Sequence, residues 1–336
     1  MPLLLAFESS CDDTSVAILD TDYRVIINLT SAQPEHLKFG GVLPELASRL
    51  HLKNILLLTH NALQQAKLEL NDLDAVAVSI NPGLIGSLLV GLSFAKSLAW
   101  SLGLPLITVN HMLAHIFANF IEHRGLKPPF LALVVSGGHT ELVHFKTFTE
   151  FEIIGKTVDD AAGESFDKAA KLLGLGFPGG PIIDKLAEGG DPDLVKFPRG
   201  LARKDNYNFS YSGLKTSIRT WLSGQDNQFV QNNLSSIAAS VQQAIIDPLI
   251  RKSLLYANKN CIQTILIAGG VAANRALRTQ LSRQAEKQGI RVYYPSLAYC
   301  MDNAAMVAAA AVPKFNSGLF APLTVNAFSQ KGTKLL

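Results

Sequence analysis

Charge is scarce in this sequence. Asp, Glu, Lys and Arg make up 17% of its 336 residues while apolar residues make up 48%, and the mean hydropathy is +0.21. So thin a charged surface points to a compact enzyme that also hides apolar area against partners. Cysteine is scarcer still: Cys11, Cys261 and Cys300 lie far apart and form no Cys-x-x-Cys pair. That argues against a disulfide framework and against a thiolate zinc site, and makes the reducing cytoplasm the expected setting. Basic residues are absent ahead of the short apolar run at 3–5, and Glu8, Asp12 and Asp13 follow at once, so the start does not read as a signal peptide. A membrane span is missing too. The apolar stretch 84–104 carries Lys96 and several Gly and Ser behind a Pro-Gly entrance, and reads as a buried core helix. Neither charge sign dominates. A net charge of +3 and a pI near 8.6 permit an RNA or phosphate partner without requiring one, because a nucleic-acid footprint depends on local clustering.

The length suits two lobes of ordinary domain size. Residues 3–7 read as a buried strand, 8–14 as a polar turn and 15–19 as a second strand, a hairpin with Ser9, Ser10, Asp12, Asp13 and Thr14 at its tip. The same grammar returns at 130–145, where the loop Ser136-Gly-Gly-His-Thr140 separates two apolar strands. A hairpin that recurs suggests two related lobes with a ligand cleft, although any α/β protein holds several hairpins. Further strands are expected at 25–29, 73–80, 106–109, 264–268 and 291–294, and helices at 44–66, 84–102, 159–173, 234–257, 276–288 and 304–312.

Within the apolar-periodic run 109–121 stand His111 and His115. On a helix, residues four apart share a face, so both imidazoles can grip one metal ion; they can equally cap carbonyls or fill a half-buried face. Asp302, just ahead of an alanine-rich helix, is either its N-cap or the carboxylate that completes a two-histidine, one-carboxylate metal site. A zinc peptidase would need a Glu after the first histidine as general base, and Met112 stands there.

Other stretches carry weaker signals. The turn-rich segment 174–181 has bare backbone that can approach a ligand, with Asp184 one helical step on. Gly269-Gly270 lies between a strand and a helix N-terminus, a setting that favours an anion or a nucleotide edge and that tight turns also require. Residues 189–213 lose apolar periodicity and gain Lys196, Arg199, Arg203, Lys204, Tyr207, Phe209 and Tyr211, with Lys215 and Arg219 just beyond. Basic residues among aromatics suit single-stranded RNA, and a solvated loop has the same composition.

These residues together resemble one family, the tRNA N6-adenosine threonylcarbamoyltransferases in their bacterial TsaD form, formerly called glycoproteases. The resemblance runs over nearly the whole chain. It includes Glu8-Ser-Ser-Cys-Asp-Asp-Thr14, Gly40-Gly-Val-Leu-Pro-Glu-Leu-Ala-Ser-Arg49, Asn81-Pro-Gly-Leu-Ile-Gly-Ser87, the histidine pair and Val135-Ser-Gly-Gly-His-Thr140. It continues through Asp159-Asp-Ala-Ala-Gly-Glu-Ser-Phe-Asp-Lys168, Phe177-Pro-Gly-Gly-Pro181, Phe209-Ser-Tyr-Ser-Gly-Leu-Lys-Thr216, Ala268-Gly-Gly-Val-Ala-Ala-Asn-Arg275 and Asp302-Asn-Ala-Ala-Met306. Departures from the family pattern are Asp13 for the usual Glu, Leu113 where Glu is common, Gly200 closing Phe197-Pro-Arg-Gly, and a short end at 330–336.

The resemblance implies an α/β actin-like ATPase (ASKHA) fold, two related lobes around a nucleotide cleft. The first lobe would be 1–108, with about 313–336 packing back on it. The second, 109–312, would carry the metal and most nucleotide-binding loops. It implies that His111, His115 and Asp302 hold one divalent metal, iron or zinc, and that Val134, Val135, Ser136, Gly137, Gly138, Asp167, Gly180, Asp184 and Asn274 bind the substrate, with Asp12 as proton acceptor or water organiser. The substrate would be threonylcarbamoyl-AMP, and ATP (with Mg2+) or AMP can occupy the cleft. The threonylcarbamoyl group would pass to the adenosine 3′ of the anticodon in tRNAs reading codons that begin with A. Expected partners are tRNA, a TsaB-like paralogue and a TsaE-like ATPase, with the adenylate supplied by a TsaC-type synthase; helix 44–66 is the expected partner surface. Rival readings are a small-molecule kinase or chaperone-like ATPase on the same fold, neither of which needs a His-His-Asp site, and a scaffold without chemistry.

Overall fold

The computed structural model describes residues 1–39, 41–203 and 205–329. Gly40 of the glycine-pair motif, Lys204 of the basic run and the tail 330–336 lie outside the described residues. The chain forms two compact units, one made of Met1–Leu126 with the described part of Pro295–Leu336, the other of Lys127–Tyr294.

The first unit opens with strands β1 (Leu3–Glu8), β2 (Asp13–Asp20) and β3 (Val25–Ala32). Helix α1 (Pro44–Ala66), strand β4 (Ala75–Asn81), helix α2 (Ile85–Leu102), strand β5 (Leu106–Asn110) and helix α3 (His111–Glu122) follow. The second unit holds β6 (Phe130–Val135), β7 (Thr140–Phe145), β8 (Phe151–Lys156), α4 (Ala162–Leu172), α5 (Gly179–Leu186), α6 (Ser212–Ser223), α7 (Asn227–Asn232), α8 (Leu234–Lys259), β9 (Thr264–Ala268), α9 (Arg275–Glu286) and β10 (Arg291–Tyr293). The chain then returns to the first unit with α10 (Leu297–Cys300) and α11 (Ala304–Asn316).

The two sheets share one topology, β3-β2-β1-β4-β5 and β8-β7-β6-β9-β10. In each, three strands form an antiparallel meander and the remaining two run parallel to the first. Antiparallel neighbours close through tight turns, whereas parallel ones need a crossover, usually helical. The recurrent hairpin seen in the sequence is therefore one corner of a recurrent sheet. β1 and β4 are apolar and buried along almost their whole length, as strands covered on both faces must be. Leu5, Phe7, Val16, Ile18, Val76 and Val78 pack there with Ile55 and Ala62 of α1 and with Leu92, Ala95 and Ala99 of α2.

Three expectations need correction. The units part at 126/127 and 294/295, not at 108/109 and 312/313. Helix α3 continues from β5 without a linker, and α11 packs on α3, β1 and β2, so the histidines and Asp302 belong to the first unit. Helix α2, expected to be buried all round, buries Leu88, Leu92, Ala95 and Ala99 but exposes Ile85, Leu89 and Trp100. It is the one helix among the described residues long and apolar enough to cross a membrane, and it packs on β4 and α1. Helix α4 begins at Ala162, leaving Asp159 outside it. The C-terminal segment does return to the first unit: Ala321 bridges Leu106, the Phe328 N–H donates to the Ile80 carbonyl at 3.2 Å, and Lys96 Nζ donates to the Val325 carbonyl.

Candidate functional site

Helix α3 starts where it does because Asn110, the last residue of β5, caps it. Its Oδ1 accepts the N–H groups of Met112 at 2.9 Å and Leu113 at 3.1 Å. Residues 111–121 are buried on every side, which suits a helix apolar all round. His111 and His115, one turn apart, bring their ring centroids to 4.7 Å. Asp302 comes to them from the start of α11. That helix has its first donors satisfied from outside: Ala304 N–H by Ser15 Oγ at 2.8 Å, Ala305 N–H by Asn28 Oδ1 at 3.1 Å and Met306 N–H by Asn303 Oδ1 at 3.0 Å. Asn303, not Asp302, is the N-cap. The cap reading of Asp302 falls, and its carboxylate faces the histidines.

Asp302 Oδ1 lies 3.1 Å from His115 Nε2 and 3.5 Å from His111 Nε2, and the three ligand atoms all fall within 4.8 Å of one another. Bonds of about 2.0–2.2 Å to a shared cation put its neighbouring ligand atoms about 3–4 Å apart, so these residues fit a divalent metal. Behind His111 stands Glu8, the buried end of β1, whose Oε2 accepts from His111 Nδ1 at 2.9 Å. Its Oε1 accepts the Ser10 N–H at 2.6 Å, and Ser10 Oγ lies 3.1 Å from the same ring nitrogen. Burial pulls the His111 pKa down, but Glu8 and then Asp302 outweigh it and raise it to about 9. Burial raises the Glu8 pKa, yet the charge of His111 and its hydrogen bond win, leaving it below the usual carboxylate range.

The tip of the first hairpin is held by His51 of α1, fully buried. Its Nε2–H donates to the Cys11 carbonyl at 2.9 Å and its Nδ1 accepts from Thr14 Oγ1 at 2.8 Å. Burial depresses the His51 pKa, which keeps the ring in this neutral form. Asp12 is half-buried beside Cys11 on this tip. Its neighbour Asp13 is pushed up to about 7 by burial, then by Asp302, Asp12 and Glu8. The sequence places Glu8 and Ser10 in the polar turn and the family motif but gives them no part beside the histidines, and it does not single out His51; an acid closing an otherwise apolar strand is the one available signal.

In the second unit, the expected substrate residues lie at the end of β6 and the turn after it, on α4 and α5, and at the cap of α9. At the end of β6, the Ser136 N–H donates to the His139 carbonyl at 2.8 Å and Ser136 Oγ accepts from the His139 N–H at 3.1 Å. The carbonyls of Ser136 and Gly137 accept the N–H groups of Gly163 at 3.2 Å and Glu164 at 3.1 Å, tying the turn to the start of α4. A Cβ on Gly163 would stand 2.5 Å from the Ser136 oxygen, whereas one on Gly137 or Gly138 would meet nothing within 4 Å. Those two glycines are therefore not required by the packing around them. Asp167 on α4 accepts the Gly179 N–H at 2.7 Å and is also bonded by Gly180, though burial still raises its pKa. Asp184 on α5 pairs with Arg275 at 2.9 Å. Asn274 caps α9 through Leu277 N–H at 2.8 Å and donates to Gln242 Oε1 at 2.7 Å. The turn at 270–273 touches β6 and α4, and Gly269 before it has φ +87° with no room for a Cβ beside the Val135 carbonyl. Val134 and Val135 are wholly buried.

The basic and aromatic run divides. Phe209 and Tyr211 are core residues, with the Tyr211 hydroxyl donating to the Ile245 carbonyl at 3.2 Å, and Arg199 pairs with Asp247 at 2.7 Å. Asp159 accepts from Ser210 Oγ, the Tyr211 N–H and Ser212, which docks α6. Lys215 and Arg219 remain on the outer part of α6.

Comparison with known proteins agrees with this architecture. Solved structures of similar fold include HypF of T. kodakarensis, with a TM-score of 0.66 at 13% identity over 95% of this chain and 48% of that one. Component A of the Acidaminococcus fermentans (R)-2-hydroxyglutaryl-CoA dehydratase gives a TM-score of 0.55 at 15% identity over 94% and 99%. Such likeness speaks for the actin-like ATPase fold alone. Sequence speaks for more. The tRNA N6-adenosine threonylcarbamoyltransferase of Clostridioides difficile (strain 630) is 46% identical over 97% of this chain and 96% of its own length. That of Thermosipho africanus is 48% identical over 97% and 98%. The family model TsaD, described as tRNA N6-adenosine threonylcarbamoyltransferase, matches residues 24–309, a span that takes in the histidine helix, the turns of the second unit and Asp302. With fold, motifs and full-length relatives in agreement, the chain belongs to the TsaD family of tRNA N6-adenosine threonylcarbamoyltransferases.

Proposed function

We propose that this protein transfers the threonylcarbamoyl group from threonylcarbamoyl-AMP to the N6 amine of the adenosine 3′ of the anticodon in tRNAs reading codons that begin with A, releasing AMP. The observation that carries this is the family match over nearly the whole chain, with the His-His-Asp group intact. His111, His115 and Asp302 would hold the metal. Two imidazoles and one carboxylate with open positions suit iron(II), and zinc is the second occupant such donors accept. A divalent cation there supplies charge stabilisation to an oxygen that gains negative charge in acyl transfer. The turns at Ser136–Gly138 and Gly269–Gly270 orient phosphate and base in this reading, without the Ser136 N–H, which the His139 carbonyl already holds, and Asp167, Gly180, Asp184 and Asn274 shape the surroundings. Asp184 and Asn274 act there indirectly, since their side chains already bond Arg275 and Gln242. An aryl amine is a weak nucleophile, so positioning and charge stabilisation must supply most of the acceleration, with Asp12 receiving the amine proton directly or through water.

A TsaB-like paralogue and a TsaE-like ATPase are the partners we assign, with tRNA as acceptor and a TsaC-type synthase as the source of the adenylate. Exposed Leu52, Leu56 and Leu57 on α1 support a protein partner at that helix. Free Cys11, Cys261 and Cys300 support a cytoplasmic setting. The test is mass spectrometry of tRNA nucleosides after incubation with tRNA, ATP, threonine, bicarbonate and the partners. Appearance of threonylcarbamoyladenosine is the expected result; its absence with every component active overturns the reading.

A further inference from the structure

Glu8 is an unusual residue to find where it is. The strand it closes is otherwise Leu3, Leu4, Leu5, Ala6 and Phe7, and Glu8 itself is 1% exposed. A carboxylate taken out of water is strongly disfavoured unless every oxygen is used. Both are: Oε1 by the Ser10 N–H at 2.6 Å and Oε2 by His111 Nδ1 at 2.9 Å. Ser10 cannot drift, because its own carbonyl accepts the Leu84 N–H at 2.7 Å. The neighbouring Ser9 is tied to the first turn of α2, its Oγ donating to the Ser87 carbonyl at 3.0 Å.

We propose that Glu8 is a positioning residue of the metal centre: it keeps a proton on Nδ1 of His111 and thereby leaves the Nε2 lone pair facing His115 and Asp302. The inference rests on the reading of His111, His115 and Asp302 as a metal site. A neutral imidazole has one donor nitrogen and one acceptor, and the hydrogen bond made by one decides the role of the other. Asp302 Oδ1, 3.5 Å from His111 Nε2, competes for that proton. Glu8 at 2.9 Å is the nearer acceptor. Without it the proton can settle on Nε2, where it blocks a cation. His115 has no equivalent support, since its buried Nδ1 lacks a hydrogen-bond partner among the described residues. One histidine of the pair thus has a carboxylate on its Nδ1, and the other has none there.

The test uses full-length protein stripped of metal and titrated with Co2+ against a chromophoric chelator. Glu8→Gln keeps the shape but presents either an oxygen or an NH2 group to the ring, and should weaken Co2+ binding about 10–100-fold. His111→Ala should abolish it. In Zn2+-loaded wild-type protein labelled with 15N-histidine, ring-nitrogen spectra should report a proton on Nδ1 of His111; a purely structural Glu8 would not govern that. Zn2+-loaded Glu8→Gln that retains the Nδ1 proton and binds Co2+ like wild type overturns the role of Glu8 while leaving the metal site standing. Wild-type protein that binds no Co2+ overturns the metal reading and this inference with it. Should Glu8→Gln fail to fold, the wild-type spectrum decides: a proton on Nε2, with Nδ1 as the metal-bound nitrogen, rejects the proposal.

Discussion

Asp302 Oδ1 stands 3.1 Å from His115 Nε2, although the chain builds an entire second unit between the two residues. The contact depends on where α11 docks, and that in turn depends on Ser15, Asn28 and Asn303 at its first turn. The carboxylate that faces the histidines and the cap of the helix that brings it there are therefore adjacent residues, and substitution can separate them.

Asp302→Ala should strip the purified protein of metal while costing little stability, because the helix keeps its cap. Asn303→Ala should do the converse, retaining the ligands and losing about 1 kcal/mol with the cap. Metal analysis and urea unfolding of the two variants check the pair of outcomes.

Metal-free protein should lose stability as pH rises. His111 is raised from 6.5 to about 9, against burial, by Glu8 and Asp302. Its contribution is complete below its unfolded value and lost as pH climbs through 9. Asp13, raised from 3.8 to about 7 by burial and by Asp302, Asp12 and Glu8, has the same sign in a lower window. Urea titrations across pH should thus show a decline from these groups between 3.8 and 9, and Asp13→Asn should remove the part below 7. A contribution that grows with pH in either window would contradict the assignment.

Gly163→Ala should destabilise the second unit by about 1–3 kcal/mol, since the added methyl collides with backbone that has nowhere to go. Gly137→Ala, with open space at its Cβ, should leave the unfolding curve unchanged and weaken binding of AMP, if backbone at that turn lies against a ligand. Calorimetry for stability and for AMP binding distinguishes the two.

Leu52→Glu with Leu56→Glu on the exposed side of α1 should leave the unfolding midpoint nearly unchanged, because both side chains already face water. The doubly substituted protein should fail to co-elute with a TsaB-like partner. Undiminished co-elution moves the partner to another surface.

Much of the architecture is legible in the sequence because local periodicity carries it: the buried strands, the hairpin that recurs and the histidine spacing all survive as read. What is not legible is long-range. Glu8 lies 103 positions from His111, and no local pattern announces that pairing. Asp302 and Asn303 are both good cap formers, and only the docking of α11 decides which one caps. The unit boundary is misread for a related reason. A change of lobe was expected after β5, but α3 follows that strand without a linker and stays in the first unit.

The discontinuity of the first unit has a consequence for biogenesis. Domains tend to form in the order they are synthesised. Here Lys127–Tyr294 is continuous and can form as soon as it is made, while the unit begun earlier must wait for α11 to arrive. Until then the face of α3 that α11 covers is bare and the two imidazoles lack their carboxylate. The nascent chain thus holds an incomplete His-His-Asp group through most of its synthesis, and a metal bound by the three residues would be one of the last additions in its maturation.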